Sequence, residues 1–163
     1  MSGPTLGEMQ RRLAASLAGN GPAPAGLDEG AVDRARRGLE AKRRRVACHL
    51  LPRLRSALGD AWTARFHEHA RRYNPAGMLH HVDDAWEMAE TLFRHPDPQV
   101  ACAAHDDLVS LRLRFERDRE AGAERIRERR GPVVALMRTP SRLLVVRMPG
   151  PDAKVWYLRL SPG

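Results

Sequence analysis

The feature that most constrains this chain is a change of hydrophobic period at Gly131. Before it, apolar residues recur three and four apart, the spacing of amphipathic helices. After it, they crowd into short β-branched and aromatic runs separated by Pro, Gly and Ser. An α+β fold is therefore expected: an N-terminal helical bundle of about five or six helices, then a C-terminal three-stranded antiparallel β-meander.

Start and stop signals divide the helical part. Thr5 and Glu8 have the spacing of a capping box before a helix carrying Met9, Leu13 and Leu17. Asp28 is a suitable N-cap for a long helix over about 29–51, with Val32, Leu39, Val46 and Leu50 on one stripe and Arg34, Arg37, Arg44 and Arg45 opposite. Leu54 and Leu58 lead to Gly59-Asp60, read as a stop and a new N-cap. Trp62, Phe66 and Ala70 mark the next helix, and Asn74-Pro75 its end. Val82, Trp86, Ala89 and Phe93 mark another. Asp97-Pro98 opens the last, through Val100, Ala104, Leu108, Leu111 and Phe115. Residues 112–130 hold eight arginines and five acids, and read as a charged linker or helical extension. The resulting division is 1–117 (helical), 118–131 (charged) and 132–163 (meander).

Three β runs are expected, over 133–137, 142–148 and 154–160, with short turns that favour antiparallel pairing. In the middle run Leu143 and Val145 point one way, and Leu144, Val146 and Met148 the other. Both faces are apolar, so both need cover, and the helices can supply only one. A meander also has two edges. The first run is bracketed by Pro132 and Pro140, whereas the last contains no proline. Lys154, Val155, Trp156, Tyr157, Leu158, Arg159 and Leu160 are thus the candidate residues for accepting an added strand.

The hydrophobic fraction, 42%, supports a packed core, and no apolar run reaches the roughly 18 residues of a membrane span. The first residues lack a basic-then-apolar secretory signal, so a cytoplasmic location is expected. Cys48 and Cys102 lie in no ligand pattern and read as reduced, packed thiols. Of the 28 basic residues only Lys42 and Lys154 are lysines, a skew that a GC-rich genome produces. The net charge of +8 still favours acidic partners.

Catalytic signals are weak. His67 and His69 are two apart and diverge on a helix, and the adjacent His80 and His81 diverge as well, although Asp83 and Asp84 lie near them in sequence. A small metalloenzyme using His67, His80 and His81 is the least favoured reading. No phosphate-binding glycine loop or nucleophile motif is present, and neither Ser110 nor Ser141 has a base beside it in sequence. Glu87 and Glu90 share a helix face that reads as solvent-facing. Lys42-Arg43-Arg44-Arg45 has the composition to track phosphates, but the favoured reading is a solvated face with ion pairs such as Glu40 with Arg36 or Arg44. Trp62 and Trp86 are expected in the core. Trp156 is either core or an interface anchor.

The order of several short features resembles a family of bacterial partner proteins. These features are the loop 22–28, the Lys42–Arg45 helix, Leu51-Pro52, Leu58-Gly59-Asp60, Arg65-Phe66, Asn74-Pro75, Asp83-Asp84-Ala85-Trp86 and a Pro-Ser-Arg turn at 140–142. The family's older label is that of a DNA-binding domain, and its members accompany multinuclear non-haem iron-dependent oxidative enzymes. The resemblance implies a non-catalytic subunit without a cofactor of its own, paired with a TIM-barrel enzyme that holds the iron. Its task would be to bind the leader of a ribosomal precursor peptide, with the helical part docking on the enzyme and the meander holding the peptide. A nucleic-acid-binding regulator is the alternative; neither nucleic acid nor membrane is the favoured partner.

Overall fold

The computed structural model describes residues 5–18, 21–75, 79–120, 123–137, 143–148 and 154–159. Among them are helices α1 (Leu6–Leu17), α2 (Glu29–Leu50), α3 (Pro52–Leu58), α4 (Trp62–Arg72), α5 (His80–Leu92) and α6 (Pro98–Arg114), with a 3-10 turn at Gly59–Ala61 before α4. Two antiparallel sheets follow. One is the hairpin β1 (Phe115–Glu120) with β2 (Ala123–Glu128), and the other has the order β3 (Val133–Met137), β4 (Leu143–Arg147), β5 (Val155–Arg159). The fold is thus α+β and mostly helical, as the change of period predicts.

The caps act where the sequence puts them. Thr5 and Glu8 form the reciprocal capping box of α1, Asp28 accepts from the Gly30 N–H at 3.0 Å, and Asp97 accepts from the Gln99 N–H at 2.8 Å beside Pro98. Asp97→Ala should therefore cost about 1 kcal/mol, measured as a lower urea midpoint at unchanged slope. Two expectations are corrected. Asp60 makes no cap, because α4 starts from the 3-10 turn without a side-chain hydrogen bond. Leu39 does not join the core stripe: it is 45% exposed, while Ala47 is buried instead.

The main core joins Leu51 and Leu54, Trp62 and Phe66, Val82, Trp86 and Met88, and Ala104, Leu108 and Leu111. Helix α6 is buried nearly all round because it separates two layers. Leu108 and Leu111 face the bundle, while Val109 and Leu113 pack on Val133, Ala135 and Val145 of the larger sheet. Its Asp107 reaches across to α3, which has no cap of its own, and accepts from the Leu54 N–H at 2.8 Å.

The segment expected to be a linker or helical extension is instead the β1–β2 hairpin, and α6 ends at Arg114. Phe115 and Arg117 turn toward the bundle with Ile126, the partner of Arg117 in the ladder. Glu116 and Arg127 pair on the opposite face at 2.6 Å. The alternation is real but disguised, because one inward side chain is an arginine.

Candidate functional site

The larger sheet presents two unequal faces. Side chains alternate along a strand, so Val133, Ala135 and Val145 share the face under α6, and Val145 is fully buried there. The other face carries two cross-strand rows, Val134–Val146–Trp156 and Leu136–Leu144–Leu158. Val134 is 67% exposed, Trp156 59% and Leu158 55%. Trp156 is therefore a surface residue, while Trp62 and Trp86 are core.

Strand β5 lies beyond the cover of α6. All five of its residues are exposed, including Val155 and Tyr157 on the helix side. Its backbone is also polarised. The Met148 N–H donates to the Lys154 carbonyl at 3.1 Å, which makes 148/154 a hydrogen-bonded pair. In an antiparallel ladder such pairs alternate with non-bonded ones. The register then sends the N–H and C=O of Trp156 and Leu158 toward β4, and those of Val155 and Tyr157 away from it. Among the described residues, no strand pairs with that outer side. Lys154 lies just before the strand and is exposed, as is Arg159 within it. Leu160, the last of the candidate residues, lies outside the described residues.

Behind the sheet is a polar junction. Arg43 grips Asp84 with two bonds, from Nε at 2.9 Å and Nη2 at 2.8 Å, and also donates to the Tyr73 carbonyl. His69 Nε2 contacts the same carboxylate at 2.8 Å. Burial pushes Asp84 up, but the hydrogen bonds and charges of Arg43 and His69 outweigh it and hold the carboxyl below its usual range. Tyr73 donates to Asp83 at 2.6 Å, and its hydroxyl is pushed well up by burial and then by that carboxylate. Arg117 spans three carboxylates of α5: Asp83 at 3.0 Å, Glu87 at 3.0 Å and Glu90 at 3.1 Å. Trp86 Nε1 donates to Glu90 as well. Glu87 and Glu90 are thus structural ligands of an arginine rather than a plain solvent face.

This junction engages residues that could otherwise serve as a phosphate track or a metal site. The 42–45 stripe loses Arg43 as a phosphate contact, because its guanidinium is spent inside the molecule. Glu40 pairs with His67 at 2.8 Å rather than with Arg36, which pairs with Asp33. His80 and His81 meet each other edge to face, 5.6 Å between centroids. Asp83 and Asp84 serve Arg117 and Arg43. Among the described residues, no three His, Cys, Asp or Glu side chains form a group able to hold a metal ion, and no helix is long and apolar enough to cross a membrane. A cleft beside the junction is lined by His69, Tyr73, Glu87, Met88 and Leu92, but its His69 and Tyr73 are already committed to aspartates.

Fold and surface together define a helical-bundle protein with an appended sheet whose outer strand is exposed. Residues 7–94 match the family described as "SCO6045-like, C-terminal domain". The match spans more than half of the chain and runs from α1 past the end of α5, so the chain belongs to that family. No curated protein and no solved structure matches it.

Proposed function

We propose that this chain is a non-catalytic adaptor that accepts an extended peptide segment as a fourth strand on β5 and presents it to a partner enzyme. The supporting observation is the state of β5: a proline-free edge, exposed on both faces, with the Val155 and Tyr157 peptide groups turned outward. Strand addition supplies main-chain hydrogen bonds, and the flanking side chains supply choice. Lys154 and Arg159 favour acidic residues in the segment. On the resemblance described under Sequence analysis, the proposed peptide is the leader of a ribosomal precursor, and the proposed partner a TIM-barrel, iron-dependent oxidative enzyme.

The alternation of the ladder provides the test. Tyr157→Pro removes an outward donor while leaving the β4–β5 bonds intact, a substitution an edge strand tolerates. Trp156→Pro removes a donor to β4 and should disrupt the sheet. With the protein co-expressed and co-purified with the product of its neighbouring gene, Tyr157→Pro should weaken leader binding about tenfold, the equivalent of one or two net hydrogen bonds. The far-ultraviolet spectrum should keep its helical signal. Unchanged leader affinity in Tyr157→Pro would sink the strand-addition reading, and absence of iron in the co-purified partner would remove the oxidative-enzyme assignment.

A further inference from the structure

The open face of the larger sheet is a second surface, separate from the β5 edge, and peptide addition at that edge would leave it uncovered. We infer that it docks an acidic amphipathic helix of a partner protein, lying across the rows Val134–Val146–Trp156 and Leu136–Leu144–Leu158. Geometry argues for a helix. The rows are two residues apart along each strand, about 6.8 Å. Residues i and i+4 of a helix are about 6 Å apart along its axis. The opposite face of the same sheet is already covered in this way, by Val109 and Leu113 of α6, an i, i+4 pair seated on Val133, Ala135 and Val145. Three strands are about 10 Å across from first to last, the width of one helix.

Charge argues for an acidic partner and against a second copy of this chain. The chain carries a net charge of +8, although Arg147 and Arg159 fall on the helix-side face of this sheet by strand alternation. Exposed Lys154 shares the open face with Trp156 and Leu158 by strand alternation. Two copies face to face would bring two net positive molecules and two Lys154 side chains together, whereas a helix with an apolar stripe flanked by glutamates meets them with opposite charge. The exposed aliphatic and aromatic side chains form the kind of uncovered apolar patch that marks an interaction surface.

The probe is a synthetic 15-residue helix with leucines at i, i+4 and i+7 and glutamates elsewhere, titrated into the full chain at low salt. Trp62 and Trp86 are buried and Trp156 is exposed, so a blue shift of the emission reports cover of the open face. Binding is expected to weaken at least tenfold in the double variant Val134→Ser/Leu158→Ser, and also when the glutamates of the probe are replaced by lysines. It should be unchanged in Tyr157→Pro. Binding that ignores the double variant overturns the proposal, and loss in Tyr157→Pro alone assigns the probe to the edge strand. Equal affinity for the lysine probe removes the charge argument and the proposal with it. A dimer of the free chain that dissociates in the double variant gives the face to a second copy instead, and binding to anionic phosphatidylglycerol vesicles in place of the probe gives it to a lipid surface. The edge reading stands or falls on Tyr157→Pro, so the two failures are distinguishable.

Discussion

Asp84→Asn is expected to destabilise the protein by about 3–5 kcal/mol, the cost of breaking a buried ion pair from one side. The Asp84 side chain is 2% exposed and that of Arg43 19%. Asparagine offers Arg43 one oxygen where two now accept, and leaves the guanidinium charge without a counter-charge. The same carboxylate holds His69, so three elements, α2, α4 and α5, lose their common anchor. The pH dependence is specific. Because the folded-state pKa of Asp84 lies below its ordinary value of 3.8, its contribution is complete above that value and is lost as pH falls through the folded value. Asp84→Asn should therefore flatten the acid limb of a stability–pH curve. Asp107 has the opposite sign: burial raises it, although Leu54 and Arg53 donate to it. Its contribution is present when it is protonated and fades as pH rises through the folded value. Urea midpoints between pH 3 and 7 would separate the two. An acid limb unchanged in Asp84→Asn would show that the Arg43 pair does not govern it.

Arg117→Met should have a comparable effect, about 3–5 kcal/mol, with a different spatial signature. Its side chain is 6% exposed and is the one link from β1 to Asp83, Glu87 and Glu90 among the described ion pairs. Without it three carboxylates face one another along α5, and Asp83 stays buried with Tyr73 as its remaining hydrogen-bond partner among the described residues. Methionine fills the volume but not the charge. The expected result is hairpin opening: amide hydrogen exchange over 115–128 should accelerate well beyond that of α2 or α6, because Phe115 and Ile126 depend on the same seating. Arg127→Met, on the solvent side, should cost less than about 1 kcal/mol. Equal exchange across both variants would show that the hairpin is held by its apolar contacts alone.

Both residues lie behind the β5 edge and the open sheet face, not on them. The adaptor reading therefore predicts that their effects are on stability, with peptide affinity preserved in whatever fraction remains folded. A Tyr157 substitution divides the other way.

How much of this was legible in sequence depends on the range of the interaction that decides each element. The caps at Thr5, Asp28 and Asp97 are local hydrogen bonds between residues two or three apart, so their spacing alone places them. The three runs of the meander, and the opposite facing of Val145 and Val146, follow from a period of two and need no neighbours. The hairpin over 115–128 was missed for a physical reason. Glutamate and arginine have weak strand preference, and an inward arginine hides the apolar alternation. The spacing Phe115-x-Arg117 and the Ala121-Gly122 dipeptide in the sequence were the available signals, but only the α5 carboxylates make burial of Arg117 affordable.

The chain's own order of residues determined its α+β division, the helix starts at Thr5, Asp28 and Asp97 and the double apolarity of the larger sheet, because propensity, capping and side-chain alternation act within a few bonds. Tertiary structure decided what no local rule contains. It chose which sheet face α6 covers, left β5 outside that cover, and turned Arg43 inward to Asp84 rather than outward to solvent. It also assigned Asp107 as the cap of a helix some 50 positions away in sequence. Those outcomes rest on burial and charge pairing between distant segments, whose energies exist only once the layers have met.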